Sequence, residues 1–168
     1  MTNYQFVMKT FLTALRALIY GGGFILLWGW VALGVRAFDR SFGVALPLWT
    51  ETPGVILMAV GGILALLCVG TFVVRGKGTA APFDAPRLFV AVGPYRYVRN
   101  PMYIGGWIVL IGFGLFEHSI SILLFSLIWI LLAHLFVFFV EESGLEKRFG
   151  RSYLEYKKSV KRWKPRIK

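Results

Sequence analysis

Two groups of charged and aromatic residues in this sequence have the chemistry of a small-molecule binding site. The first combines tyrosines, arginines and an Asn-Pro pair, in the run Tyr95-Arg96-Tyr97-Val98-Arg99-Asn100-Pro101-Met102-Tyr103. The second is the acid pair Glu141-Glu142. Arginine binds anions through paired hydrogen bonds, a carboxylate binds cations, and a tyrosine ring can face a cation. Together, the two groups would suit a zwitterionic, aromatic small molecule.

The elements that must position these groups are long apolar segments. The chain has 168 residues, of which 57% are hydrophobic, and four long segments lack Asp, Glu, Lys and Arg altogether. A helix of about 20 mainly apolar residues can cross a bilayer. The sequence therefore predicts an all-α, polytopic integral membrane bundle with four transmembrane helices, at approximately residues 10–36, 52–74, 98–117 and 119–142. Glycines in the first two spans are typical of close helix packing in membranes.

The third and fourth predicted spans are joined by a very short link around Glu117 and His118. So short a connection forces an antiparallel helical hairpin. The start of the third span at Asn100 must then lie beside the end of the fourth at Glu141, and both charged groups meet at one membrane face. His134 lies on about the same helical face as Glu141, where it either points towards the site or makes an ordinary hydrogen bond within the bundle.

Asn100 and Pro101 have the signature of a helix start, because Asn favours the cap and Pro fits the first turn. The open N–H groups of that turn attract an anion, and Arg96 and Arg99 would add to the attraction. Arginines at a span's end are also ordinary headgroup anchors, so both interpretations stay open from these residues alone. Acids near a helix C-terminus oppose its dipole, so the acid pair needs basic neighbours or a cationic ligand.

The positive charge of the chain is concentrated in two places. The net charge is +11, and ten of the nineteen Lys and Arg residues lie in the tail 147–168, with five more in the segment 75–99. The positive-inside rule then places both termini, the loop 75–97 and the active site in the cytoplasm. We expect a single membrane-embedded domain over 1–168, located in a bacterial inner membrane. Attraction to anionic membrane lipids explains most of the tail's charge, and charge alone is no evidence for nucleic-acid binding.

The tail carries a helical stripe of apolar residues. Members recur at spacings of three and four, namely Phe149, Tyr153, Tyr156, Val160 and Trp163. This periodicity predicts an amphipathic C-terminal helix lying on the cytoplasmic leaflet. It would border an opening of the site towards the bilayer, and we predict that the residues beside this opening, His134, Tyr153, Tyr156 and Trp163, bind the substrate. The single cysteine, Cys68, has no metal-ligand companions, so we predict no metal site.

One ligand, S-adenosyl-L-methionine, matches the combined set of groups. Its carboxylate suits the helix start and the arginines, and its ammonium or ribose hydroxyls suit the acid pair. Tyrosine rings can stack on its adenine or face its sulfonium. The cofactor-binding residues predicted on this basis are Tyr95, Arg96, Tyr97, Val98, Arg99, Asn100, Pro101, Tyr103, Glu141 and Glu142.

Residues 76–165 resemble the membrane-bound isoprenylcysteine carboxyl methyltransferase family and its phospholipid-methylating relatives. Those proteins have an Arg-His-Pro-x-Tyr-x-Gly motif at the start of a helical hairpin, then a Glu-Glu pair and a Phe-Gly-x-x-Tyr-x-x-Tyr tail. The corresponding residues here are Arg99-Asn100-Pro101-Met102-Tyr103-Ile104-Gly105, Glu141-Glu142 and Phe149-Gly150-Arg151-Ser152-Tyr153-Leu154-Glu155-Tyr156. Asn100 stands in the histidine position, where it can donate a hydrogen bond but does not titrate near neutral pH.

The resemblance implies a methyltransferase that uses S-adenosylmethionine to methylate a lipophilic or prenylated acceptor, at the carboxylate of an isoprenylcysteine-like compound. Arg99 would hold a carboxylate of the cofactor or acceptor, and Glu141 is the nearest candidate base. A phospholipid amine is the alternative acceptor. Outside the enzymes, the alternative is a non-catalytic membrane protein that recruits lipids or partners through its basic tail.

Overall fold

The computed structural model describes residues 3–79, 81, 84 and 86–165, and all regular structure among them is helical. The seven α-helices are α1 (Asn3–Val35), α2 (Asp39–Phe42), α3 (Glu51–Thr71), α4 (Pro101–Phe116), α5 (Ile120–Phe136), α6 (Glu142–Phe149) and α7 (Arg151–Ser159). Short 3₁₀ turns lie at Arg36–Phe38, Leu48–Thr50 and Gly93–Arg96, and π-helical turns extend α3 over Phe72–Gly76 and α5 over Val137–Glu141. The all-helical prediction is confirmed for the residues described.

Within the residues that the structure describes, three continuous helical segments are long and apolar enough to cross a membrane, namely Val7–Phe42, Leu48–Gly76 and Ile120–Phe149. Helix α4 has only 16 residues. At 1.5 Å per residue it is about 24 Å long, less than the roughly 30 Å of a bilayer's hydrocarbon core. The predicted extension of this span to Val98 is wrong, because the helix begins at Pro101 and Val98 lies in irregular backbone.

Helices α3 and α4 approach each other through glycines. A Cβ atom added to Gly61 would lie 2.5 Å from the Gly105 carbonyl oxygen, and one added to Gly112 would lie 2.6 Å from the Gly54 carbonyl oxygen. Since neither distance tolerates a carbon atom, these positions accept only glycine at this separation. The predicted packing role is therefore confirmed for Gly54 and Gly61 in α3, whereas Gly62, Gly70 and the five glycines between residues 21 and 34 have open space around them.

Substituting alanine for Gly61 should therefore destabilise the fold by about 1–3 kcal/mol, the usual range for overpacking. The measurement is the free energy of unfolding in mixed micelles. Gly62 is the matched control, because it is the next residue in the same helical turn and a Cβ there would meet nothing within 4 Å. Equal losses from Gly61→Ala and Gly62→Ala would contradict the close backbone contact.

One end of the bundle is fastened by polar contacts between the segment after α1 and the region where α4 ends and α5 begins. The Asp39 carboxylate, at the start of α2, accepts a hydrogen bond of 2.9 Å from the backbone N–H of Ser121, and Arg36 pairs with Glu117. The first contact caps the start of α5, whose N–H groups lack partners within the helix. These contacts gather the turns 36–50 and 117–120 at one end.

The opposite end contains the loop after α3 and the C-terminal segment. The Arg16 guanidinium is 3.2 Å from the Asp84 carboxylate, and the Gly76 carbonyl accepts hydrogen bonds from the backbone of Arg87 and Leu88. The loop is thus folded against the end of α3 and the N-terminal half of α1. The start of α4 lies at this same end.

The predicted C-terminal helix is present as α7, but it is shorter than the apolar stripe implies. The helical backbone is interrupted between α6 and α7 at Gly150, which has a φ of +52°, and α7 ends at Ser159 with Val160 extended. The prediction of one continuous helix that reaches Trp163 is therefore wrong. Tyr153 is also only 2% exposed, because its ring packs against Phe89 rather than lying in the leaflet.

Candidate active site

The helical hairpin brings the two predicted groups into contact at the start of α4. The Tyr103 hydroxyl donates a hydrogen bond of 2.8 Å to Glu141 Oε2. Arg99 Nη2 lies 3.1 Å from Glu142 Oε1. The predicted juxtaposition of the arginine–tyrosine run with the acid pair is confirmed, and its cause is the short link between α4 and α5.

Glu142 is the centre of a buried ionic network and is only 4% exposed. Arg162 donates to both of its oxygens, from Nε to Oε1 at 2.7 Å and from Nη2 to Oε2 at 2.9 Å. Lys157 Nζ lies 3.4 Å from Oε2. Arg99 completes the set. Three cations therefore surround this carboxylate, and basic residues of the tail are the neighbours that it requires.

Glu141 has a different environment from its neighbour. Its hydrogen bond to Tyr103 is the one polar contact of its carboxylate among the residues described, and none of the ion pairs found there includes it. The π-helical turn Val137–Glu141 ends at this residue, and such widened turns are frequent at functional sites. Glu142 is therefore neutralised by ion pairs within the protein, whereas Glu141 has no ion-pair partner among the described residues.

Arg99 is buried with donors to spare. Its side chain is 9% exposed, yet Nε and Nη1 are buried without a hydrogen-bond partner among the described residues. An unsatisfied buried polar group costs about 1–3 kcal/mol, and more when it is charged. The Arg99 guanidinium thus has two donors that no described residue uses.

Asn100 occupies the cap position of α4 but makes no side-chain cap hydrogen bond. Its Nδ2 instead donates to the Arg162 carbonyl at 3.2 Å, and the Arg99 backbone N–H donates to the Lys161 carbonyl at 3.0 Å. The expected side-chain capping role is therefore wrong, because the tail crosses the start of α4 and offers its carbonyls there. Pro101, as predicted, begins the helix.

The tyrosines around the mouth are neutral hydrogen-bonding and packing groups. Tyr95 stacks on Phe72 with ring centroids 4.8 Å apart, and its carbonyl accepts a 2.6 Å hydrogen bond from the Tyr156 hydroxyl. Burial, with Cys68 and Glu141 adding to it, raises the pKa of Tyr95 well above its usual value. Burial and then Glu142 raise the pKa of Tyr153 to about 12. Neither phenol ionises near neutral pH.

Comparison with known proteins identifies the family of this chain. A family model described as phospholipid methyltransferase matches residues 49–152, which is more than half of the chain. The chain belongs to this family. It is also similar to the protein-S-isoprenylcysteine O-methyltransferase of Schizosaccharomyces pombe, with 34% identity over 113 residues. That match covers 58% of this chain and 45% of the relative, so the chain spans less than half of the relative's length.

Family membership confirms the resemblance predicted from the motifs, and it makes the chain a membrane protein of a methyltransferase family. The match covers the region from the start of α3 to the start of α7, and it therefore includes Arg99, Tyr103 and both glutamates. Arg162 and Trp163 lie beyond it. Their contribution to the site is visible only in the tertiary contacts.

The remaining predicted residues take three different positions. Arg96 and Tyr97 are exposed and have no contact with the ionic network in the part of the chain that the structure describes, whereas Val98 is 6% exposed. His134 accepts a hydrogen bond of 2.8 Å at Nδ1 from the Trp163 indole. His134 is thus a hydrogen-bonded bundle residue, and Trp163 beside it has its ring centroid 6.4 Å from that of Tyr103. The ligand contacts of all these residues stay predictions.

Lys157 and Arg162 are the site residues that sequence reasoning missed. The sequence predicts that most of the tail's charge faces the headgroup layer, and it does not identify which basic residues are neighbours of the acid pair. The hydrogen bond to Glu146 raises the pKa of Lys157, and that to Glu142 raises the pKa of Arg162. The available signal was the excess of tail cations following two acids that lacked partners.

Proposed function

We propose that this protein is a membrane methyltransferase that uses S-adenosyl-L-methionine to methylate a lipophilic acceptor, the carboxylate of an isoprenylcysteine-like compound. The observation that carries the proposal is the buried Arg99 guanidinium, which has two unpaired donors beside a glutamate that makes no ion pair among the described residues. An anion binder and a cation binder thus lie at one mouth. The acceptor is taken from the similarity to the fission-yeast enzyme.

The residues present fit the cofactor group by group. Arg99 Nε and Nη1 would bind its carboxylate, since a guanidinium grips a carboxylate through two parallel hydrogen bonds. Glu141 would bind the ammonium or the ribose hydroxyls. The aromatic ring of Tyr103 borders the same place, since its hydroxyl contacts Glu141. When bound, the cofactor supplies an electrophilic methyl group on its sulfonium.

The protein's own contribution to such a transfer is mainly positioning. Correct alignment of two reactants can lower a barrier by about 7–11 kcal/mol. The Tyr103 hydroxyl holds one oxygen of Glu141, which fixes the direction of this carboxylate. A carboxylate acceptor needs no general base. Arg99 and Glu141 therefore act by binding and orientation in the proposed reaction.

A phospholipid amine is the second candidate acceptor, and the family match favours it. A protonated amine must lose a proton before it can attack the methyl group, and Glu141 is the nearest base to take it. The two acceptors are distinguished by the product rather than by the cofactor. A non-catalytic protein with a lipid-recruiting tail predicts no cofactor binding even at millimolar concentration.

We expect the acceptor to reach the site from the bilayer, so that the length of its apolar chain governs turnover. The protein, reconstituted in lipid nanodiscs with methyl-labelled cofactor, should methylate an N-acetyl-S-prenylcysteine far faster than its short-chain, water-soluble analogue. Trp163→Ala should lower turnover of the prenylated compound more than it lowers cofactor affinity. A phosphatidylethanolamine arm tests the amine alternative. Equal efficiency on long and short acceptors, corrected for partitioning, would contradict a lipid-facing entrance.

We further propose that α4 is a fourth span, so that residues 1–168 form one domain with both termini and the site in the cytoplasm of a bacterial cell. The support is the separation of the loops into two ends and the positive charge at one of them. In a Cys68→Ser background, a cysteine at Lys77, which is exposed in the loop after α3, should react with an impermeant reagent only from the cytoplasmic side. Cysteines at Pro47 or Glu117 should react only from the other side. Labelling of Pro47→Cys from the cytoplasm would overturn the orientation.

A further inference from the structure

Arg162 and Arg99 compete for one carboxylate, and Arg162 has the better geometry. Arg162 uses Nε and Nη2 to bind both oxygens of Glu142, at 2.7 and 2.9 Å. Arg99 reaches the same carboxylate through Nη2 alone, at 3.1 Å from Oε1. A side-on bidentate pair is the strongest arrangement available to an arginine and a carboxylate, and Arg162 occupies it.

The consequence is seen in the donors that Arg99 has left. Its Nε and Nη1 are buried without partners among the described residues, although the Glu142 carboxylate lies within reach of the same guanidinium. Lys157 also approaches Oε2, at 3.4 Å, so both oxygens of Glu142 are already engaged. Glu142 therefore has little remaining capacity for Arg99.

The backbone contacts of the tail hold Arg162 in this position. Asn100 Nδ2 donates to the Arg162 carbonyl, and the Arg99 N–H donates to the Lys161 carbonyl. The guanidinium of Arg162 also lies over the Phe138 ring, 5.0 Å from its centroid. Its side chain is 19% exposed, so it is held by contacts on several sides rather than extended into solvent.

We propose that Arg162 is a positioning residue, which saturates Glu142 and thereby keeps the Nε and Nη1 donors of Arg99 free for the carboxylate of the cofactor. This inference rests on the proposed function. Without Arg162, Arg99 would turn its Nε–Nη2 edge onto Glu142 and form the bidentate pair itself. Arg162 thus neutralises the Glu142 carboxylate, and Arg99 binds the carboxylate of the cofactor.

The test is cofactor affinity, measured by calorimetry with the full chain in detergent, for two ligands that differ only in the carboxylate. Arg162→Ala should weaken binding of S-adenosylmethionine about tenfold or more, the loss of a charged hydrogen bond. It should leave the affinity for decarboxylated S-adenosylmethionine within about twofold, because that compound does not use Arg99. Arg162→Lys should fall between, since an ammonium lacks the planar fork.

A rescue variant separates positioning from general damage to the fold. Adding Glu142→Gln to Arg162→Ala removes the charge that captures Arg99, and one of the two arginines that Glu142→Gln alone would leave unpaired is already absent. At a temperature where helix content shows the double variant to be folded, affinity for S-adenosylmethionine should recover towards that of the wild type. Equal losses for both ligands in Arg162→Ala, or no loss for either, would overturn the inference while leaving the proposed function standing. A wild-type protein that binds neither ligand would overturn the proposed function itself.

Discussion

Replacing Arg99 by alanine is expected to weaken binding of S-adenosylmethionine by about 1.5–3 kcal/mol, the range for hydrogen bonds to charged groups, or roughly 10- to 150-fold. The reason is that the buried guanidinium offers two unpaired donors to the ligand's carboxylate. Glu141→Ala should cause a loss in the same range by removing the carboxylate that binds the ammonium or the ribose hydroxyls. Calorimetry on the purified protein measures both.

Arg75→Ala is the matched control for Arg99→Ala. Arg75 is exposed at the end of the π-helical turn after α3, and it makes no ion pair with any residue described. Its removal lowers the positive charge at the same end of the bundle by the same amount as Arg99→Ala, whereas Glu141→Ala changes that charge in the opposite direction. Equal losses of affinity from Arg99→Ala and Arg75→Ala, with no loss from Glu141→Ala, would mean that bulk charge determines binding, and the proposed site would be wrong.

Replacing Glu142 by glutamine should destabilise the fold by about 3–5 kcal/mol, because removing one partner of a buried ion pair leaves uncompensated charge behind. Here the charges left behind belong to Arg99 and Arg162, whose side chains are 9% and 19% exposed. The measurement is the free energy of unfolding in mixed micelles, followed by tryptophan fluorescence and by helix content.

Glu155→Gln provides the comparison, since it breaks an ion pair of the same chemistry at the surface. Arg151 and Glu155 are paired at 2.9 Å, but their side chains are 92% and 63% exposed, and exposed pairs contribute only about 0–1 kcal/mol. Each variant replaces one carboxylate by an amide, and the two positions lie in neighbouring helices, α6 and α7. Similar losses from both would show that burial does not set the value of the Glu142 network.

Much of the fold followed from local properties of the chain. Helix α3 was predicted at 52–74 and is observed at Glu51–Thr71 with its π-helical extension, because a charge-free apolar run in a membrane leaves the backbone no alternative to internal hydrogen bonds. The end of α7 was not predicted. The apolar periodicity predicted a helix as far as Trp163. After Ser159, however, the carbonyls of Lys161 and Arg162 accept hydrogen bonds from Arg99 and Asn100, and the tail is no longer helical.

The amino-acid sequence by itself determined that Arg99 and Tyr103 meet Glu141 and Glu142, because the link between α4 and α5 is too short for any arrangement other than an antiparallel hairpin. Only the tertiary structure decided which glutamate belongs to the fold and which to the site. Adjacent residues on a helix face different directions, and the partner that distinguishes them, Arg162, lies twenty positions away along the chain. Its approach depends on the break at Gly150 and on the packing of Phe89 against α7, which no local pattern specifies.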